Sequence, residues 1–370
     1  MDTPSRVERP TPRASTLRPL PTTGQRIADK YIVQGILGHG GLSVVFEVRH
    51  ARTGRAFALK WLLPRFANDA EAEARLTREA EVACTIGHPA VVDIYDVETH
   101  DGHPFLLMER LVGETLAQRL ARGALEPAVA VRLLVPALEA LGEAHRLAVI
   151  HRDLKPENLF VCRGRSGEPE RVKILDFGVS KRVQDDAAKL RLTTSQAVIG
   201  TPYYMSPEQI VDPARVDHRA DIYAMGCVLF ETLAGRPPFE GPNLPALVYA
   251  ISSKVPPTLS SLVPGLPARL DDIVAACLQK SPSHRPGTMA ELAGWLFDAL
   301  EWPPMDWMDV RGDTLSMRRD DLEELPAEAD VTPSGVTPSE VERSAIVEKG
   351  DRATVPEDPL AAEADTERRR

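Results

Sequence analysis

His151-Arg152-Asp153-Leu154-Lys155-Pro156-Glu157-Asn158 is the stretch on which the reading of this chain turns. It lies between two apolar runs, Leu147–Ile150 and Leu159-Phe160-Val161. Ionisable and amide side chains at that density between apolar segments are costly to order unless they build a site. Asp153 and Asn158 stand five positions apart in a Pro-containing loop. A carboxylate there can accept a proton or orient a hydroxyl, and an amide oxygen can bind a hard cation.

Three further motifs extend this reading. Downstream, Lys173-Ile174-Leu175-Asp176-Phe177-Gly178 offers a second cation-binding carboxylate at the end of an expected strand, with a glycine for an unusual backbone angle. Upstream, Gly38-His39-Gly40-Gly41-Leu42-Ser43 is either a tight turn or a flap whose backbone N–H groups close over phosphates. A dinucleotide fold would follow such glycines with a helix. Here they separate two expected strands, Tyr31–Leu37 and Val44–Val48, and no G-x-x-x-x-G-K-[ST] loop is present. On the returning strand, Phe57-Ala58-Leu59-Lys60 places a lysine among apolar residues. It is either an edge lysine with a solvated head or a cation for an α/β-phosphate, fixed by a carboxylate from the next helix. Glu79 is the candidate, against the ordinary helix charges Glu71, Glu73 and Glu81. Each motif alone could be a turn; the four in this order and at these intervals leave little room for that reading.

With these residues in view the chain resembles the protein kinase family, specifically the bacterial eukaryotic-like Ser/Thr kinases, over about residues 31–300. The resemblance implies an α+β, bilobal kinase fold: a small β-rich N-lobe (31–111), a larger mainly helical C-lobe (112–300) and disordered tails at 1–30 and 301–370. It implies ATP and Mg²⁺ as cofactors. Leu37, Gly38, Gly40 and the loop to Ser43 would cover the nucleotide; Val45 and Ala58 would form the roof over adenine, with Phe160 beneath. Lys60 would bind the α/β-phosphates and pair with Glu79. Met108 would gate the rear of the pocket, Glu109 and Leu111 would offer backbone groups to adenine, and Glu114 would reach the ribose. Asp153 would accept or orient the substrate hydroxyl, Lys155 would steady the γ-phosphate, and Asn158 and Asp176 would hold Mg²⁺. Gly200–Glu208 resembles the segment that shapes a protein-substrate pocket, Asp221 with Gly226 the helix that anchors the catalytic loop, and Arg285 a partner for Glu208. Lys155 two after Asp153, with Thr201, resembles the Ser/Thr rather than the tyrosine pattern. Ser43 and Ser206 depart from the family's usual Gly and Ala without removing a catalytic group. The rival readings are a pseudokinase scaffold, opposed by the intact Lys60, Asp153, Asn158 and Asp176, and a small-molecule phosphotransferase, opposed by the Gly200–Glu208 segment. The resemblance also implies signalling, with a phosphate at Thr193, Thr194 or Ser195 meeting Arg152.

Around this core, the period-2 set Val44, Phe46, Val48 reads as a strand, and Asn68–Ile86 as a helix with Leu76, Ala80 and Ala83 on one side. Residues 126–149 and 214–300 have helical spacing. The net charge of −10 is uneven: the tail from Glu301 holds 19 Asp+Glu against 9 Lys+Arg, while residues 1–30 carry 6 Lys+Arg against 3 Asp+Glu. The body is therefore near neutral, which argues against bulk nucleic-acid binding. No run of about 18 uncharged apolar residues predicts a membrane span. The four scattered cysteines (Cys84, Cys162, Cys227, Cys277) read as small core residues of a reducing cytoplasm. The Pro-, Ser- and Thr-rich arm 1–30 and the acidic tail read as disordered. Thr332-Pro333 and Thr337-Pro338, with Trp302 and Trp307, are the tail's candidates for docking a partner. Proteins are the expected substrates.

Overall fold

Val44, Phe46 and Val48 are all buried, while Val45 and Glu47 between them are only half covered. That alternation is what a strand in a one-sided sheet requires. A computed structural model of the chain describes residues 20–66, 69–164, 170–177 and 202–301. Its first part is an antiparallel six-stranded sheet in the order β1-β2-β3-β4-β6-β5. The strands are β1 (Arg26–Ile27), β2 (Tyr31–His39), β3 (Ser43–His50), β4 (Ala56–Leu62), β5 (Ile94–His100) and β6 (His103–Glu109). One cluster of Ile27, Tyr31, Phe46, Phe57, Trp61 and Phe105 fills one side of it. The Trp61 ring stacks on His103 and on Phe105. A second cluster joins Ala58, Leu62, Leu106 and Met108 to Ala72, Leu76 and Ala80 of α1 (Ala70–Ile86). Asp69 caps α1, accepting from the N–H groups of Glu71 and Ala72 at 2.9 and 3.2 Å; such a cap is worth about 1 kcal/mol.

Two expectations need correction. The arm was placed at 1–30, yet residues 20–30 belong to the folded body. β1 pairs with β2, Gly24 N–H donates to Val33 O at 2.8 Å, and Ile27 is fully buried. An apolar side chain that closes the sheet's core outweighs the polar composition around it. Cys84, expected in the core, is exposed on α1, and Cys162 is half-buried; only Cys227 and Cys277 are buried. Of the other expected features, Asn68, Gly178, Thr193, Thr194, Ser195, Gly200, Thr201 and all residues from Trp302 on lie outside the described residues.

The second part is helical: α2 (Leu116–Leu120), α3 (Pro127–Arg146), α4 (Pro207–Val211), α5 (Arg219–Ala234), α6 (Leu244–Ser253), α7 (Ala268–Cys277) and α8 (Met289–Ala299). α5 is buried along nearly its whole length and forms the spine of the main core cluster. Gly226 lets α7 approach it: a Cβ at that position would sit 2.5 Å from Cys277 Cβ. A small antiparallel sheet, β7 (Gly113–Thr115), β8 (Leu159–Cys162) and β9 (Arg171–Ile174), joins the two parts. Gly113 has φ +154°, and a Cβ there would overlap the Val161 carbonyl oxygen, so no larger residue fits at this joint.

Arg285 ties the end of the chain's helical part to α4. Its guanidinium has no exposed surface and holds both oxygens of Glu208, at 2.6 and 2.8 Å. It also donates to the carbonyls of Gln279, Arg219 and Lys280, and lies over the Tyr223 ring. Removing one member of such a pair leaves a charge uncompensated and typically costs 3–5 kcal/mol. Arg285→Leu is expected to lower folding stability by roughly that amount, read as a shift of the denaturation midpoint. Arg285→Lys should recover only part of it, because an ammonium cannot reproduce the bidentate fork.

Candidate active site

The His151–Asn158 loop, the candidate catalytic loop, is held from beneath by a buried carboxylate. Asp221, in the first turn of α5, accepts the His151 N–H at 2.8 Å and the Arg152 N–H at 2.9 Å. Its Oδ2 also meets His145 Nε2, at the C-terminal end of α3, at 2.8 Å. Burial would raise this carboxyl, but the hydrogen bonds and the neighbouring histidines outweigh it and hold it below its ordinary value. Arg152 consequently adopts φ +64°, a left-handed conformation that costs a non-glycine residue roughly 1–2 kcal/mol. The strain turns the chain so that Asp153 follows at the cleft. Asp153 N–H donates to His151 Nδ1 at 3.2 Å, and the His151 ring lies 4.9 Å from that of Phe177.

The four motifs converge. Lys60 Nζ donates to Glu79 Oε1 at 2.7 Å and to Asp176 Oδ1 at 2.9 Å. Lys60 comes from the inward register of β4, opposite Val45, and Glu79 from α1. Asp176 follows β9, and the N–H of its neighbour Leu175 donates to Asn158 O at 2.9 Å. Asn158 Nδ2 donates to Asp153 O at 2.8 Å, and Lys155 Nζ lies 3.0 Å from Asp153 Oδ2.

One ammonium cannot fully serve two carboxylates. Burial alone would lower the Lys60 ammonium; Asp176 and Glu79 reverse this and raise it above its usual range. Burial would also raise Asp176, but Lys60 holds it below its ordinary value. Burial and the Asp176 charge together push Glu79, the less exposed of the two acids, up to about 8 against the pull of Lys60. The surplus of acid is where a divalent cation fits. The Asn158 amide nitrogen is committed to the loop, which leaves its oxygen as the atom that could meet a cation. Among the described residues there is no group of three His, Cys, Asp or Glu side chains that could hold a metal alone. A hard cation here would take one carboxylate, one amide oxygen and phosphate oxygens, the donor set Mg²⁺ prefers.

Val45, Ala58, Met108 and Leu111 lie in one apolar cluster, with Ala58 opposite Met108 in the β4–β6 register. Phe160, on β8, sits opposite Thr115 and close to Gly113. Gly38 pairs with Val45, and the Gly40 N–H donates to Ser43 O at 2.7 Å, so the glycines form a hairpin tip. Leu37, on the same strand, is exposed. The side chains of two expected site residues have partners of their own. The Glu109 side chain points to the joint between the two parts, where Lys173 Nζ and the Asp93 N–H bind it. The Glu114 carboxylate is gripped by both terminal nitrogens of Arg122 at 2.5 Å. His145 and Gln209 lie outside every motif, and Lys173 only opens the one that ends in Asp176; it is their partners, 57 to 76 residues away, that show what these side chains do.

The protein kinase domain family matches residues 31–296. The chain is 37% identical over 276 residues to the serine/threonine-protein kinase PknB of Mycobacterium tuberculosis, covering 73% of this chain and 43% of that protein. A probable PknB of Bifidobacterium longum is 37% identical over 287 residues, 75% of this chain and 40% of that one. The matched part thus spans less than half the length of these relatives. The crystal structure of the Mycobacterium tuberculosis PknI kinase domain superposes with a TM-score of 0.58 at 28% identity, covering 76% of this chain and all of that one. The chain belongs to the protein kinase family, and its fold is the bilobal kinase fold.

Because the Asp221 carboxyl is held below its ordinary value of 3.8, its ionised form is favoured by folding. That contribution is complete above the unfolded value and is lost as pH falls through the lower folded one. The stability difference between the wild type and Asp221→Asn is therefore expected to be flat above about pH 5 and to narrow in more acid solution. Urea midpoints measured between pH 3 and 7 would check it; a difference independent of pH throughout would count against the assignment.

Proposed function

We propose that the chain transfers the γ-phosphoryl group of Mg-ATP to serine or threonine hydroxyls of proteins. The observation that carries this is Lys60 held between Glu79 and Asp176, with Ala58, Met108 and Val45 in an apolar cluster on the same sheet and the Asp176 strand end bonded to the loop of Asp153 and Asn158. The printed names of the relatives, serine/threonine-protein kinases, support the choice of hydroxyl.

In this reading Lys60 binds the α/β-phosphates and Glu79 keeps it aimed. Val45, Ala58, Met108 and Phe160 enclose the adenine, with backbone groups of Glu109 and Leu111 at its edge and Leu37, Gly38 and Gly40 over the phosphates. Asn158 and Asp176 would hold Mg²⁺, which when bound neutralises phosphate charge. Asp153 orients the incoming hydroxyl and takes its proton, and Lys155, 3.0 Å from it, steadies the γ-phosphate. Little covalent chemistry is asked of the protein; positioning and electrostatic stabilisation do most of the work. Glu114 reaches a ribose only by exchanging Arg122 for it. The same proposal includes autophosphorylation at Thr193, Thr194 or Ser195, a signalling role, and a cytoplasmic setting suited to four free thiols. Among the described residues no helix is long and apolar enough to cross a membrane.

Purified protein incubated with Mg-ATP and a mixed Ser, Thr and Tyr peptide set is expected to phosphorylate Ser and Thr. Asp153→Asn should lose roughly 10²- to 10⁴-fold in kcat, while Lys60→Ala should weaken nucleotide binding as well. Equal phosphate incorporation by wild type and Asp153→Asn would remove the assigned base; none in either would favour a scaffold.

A further inference from the structure

The peptide group that carries Asp153 is gripped at both ends. Its N–H donates to His151 Nδ1 at 3.2 Å. Its carbonyl, the Arg152 oxygen, accepts from Gln209 Nε2 at 2.9 Å. Gln209 is buried on α4, 57 residues along the chain and outside every motif that identified the site. Its other end is fixed too: Oε1 accepts from the Ser206 N–H at 3.0 Å and lies 3.1 Å from Ser206 Oγ, and Ser206 is fully buried. The amide is thus oriented by its surroundings, oxygen toward Ser206 and nitrogen toward the catalytic loop.

We propose that Gln209 is a positioning residue for phosphotransfer: its side-chain amide holds the Arg152–Asp153 peptide plane and thereby aims the Asp153 carboxylate. Three features carry this. Arg152 is left-handed at φ +64°, a conformation an arginine leaves unless its peptide groups are held. Asp221 holds the N–H on one side of Arg152 and Gln209 the carbonyl on the other, so neither alone defines the loop. α4 is itself locked by the Glu208–Arg285 pair in the adjoining residue, which makes it a rigid support. Without the Gln209 donor a partly buried carbonyl loses its partner and the plane can rotate, carrying Asp153 out of line with the substrate hydroxyl. Small displacements of a reacting group cost large factors in rate.

The inference rests on the proposed kinase activity, and the test separates the two. Gln209→Ala removes both ends of the bridge. Gln209→Glu keeps an acceptor for Ser206 but has no donor for Arg152 while ionised; a buried carboxyl is raised in pKa and regains a donor when protonated. Wild type, Asp153→Asn and both variants are assayed for kcat and for the KM of ATP between pH 6 and 8.5, with thermal melting as a check on folding. Both Gln209 variants should lose roughly ten- to a hundredfold in kcat near neutral pH, with the KM for ATP within about twofold of wild type, since the groups assigned to nucleotide are untouched. The kcat of Gln209→Glu relative to wild type should climb as pH falls, and that of Gln209→Ala should not. A merely structural residue would show no such pH-dependent rescue. Unchanged kcat in Gln209→Ala, or a flat pH ratio for Gln209→Glu, overturns the proposal. If Gln209→Ala fails to fold, the pH ratio of Gln209→Glu decides alone. Inactive wild type would instead refute the kinase reading itself.

Discussion

A carboxylate with almost no access to water, Asp221, is the constraint on which the active site depends. It lies in the first turn of a helix buried on all sides, so it cannot move without disturbing the core. Two successive backbone N–H groups of the catalytic loop and one histidine ring end on its oxygens. An unpaired charge at this depth would be prohibitive, so the loop is obliged to present those N–H groups, and the left-handed turn at Arg152 follows. The position of Asp153 is therefore set by the core of the helical part rather than by the loop's own preferences.

The lysine at the cleft is governed by a different balance. Lys60 is drawn by one acid from the same part of the molecule and one from the strand end that follows the catalytic loop. Its contacts record that both parts are aligned, because the ammonium reaches Glu79 and Asp176 together only when α1 and β9 face each other across it. The joint between the two parts is fastened separately, by Lys173 with Glu109 and by the tight approach of Gly113 to Val161. Two independent fastenings at front and rear leave little freedom to the alignment of the described residues, all of which lie within one compact unit.

Much of this was legible in the amino-acid order, for a physical reason. Lys60, Asp153, Asn158 and Asp176 stand out because each is a polar residue beside apolar strand residues, and such placements are rare unless chemistry requires them. The inward set Val44, Phe46, Val48 and the helix face Leu76, Ala80, Ala83 were equally plain, since burial on one face imposes a period. What escaped was non-local or too short. β1 offers two residues, too few for any periodicity, and Ile27 was submerged in a polar window. The roles of His145, Lys173 and Gln209 exist only through partners that the fold supplies. The Glu114 side chain is held by an arginine eight residues on, and no local pattern announces that.

The distribution of the sulfhydryl groups has a practical corollary. Burial pushes the Cys277 thiol up to about 12 and Cys227 further still; Cys227 is part of the helix that carries Asp221, and Cys277 packs against that helix at Gly226. Burial disfavours the thiolate of both in the native state, whereas Cys84 is an exposed residue whose thiol is also raised, by partial burial and by Asp93. An alkylating reagent would therefore reach Cys84 before the inner two, whose exposure requires the helical core to open. The slow phase of such labelling is a built-in clock for global opening, wound by the same helix that carries Asp221.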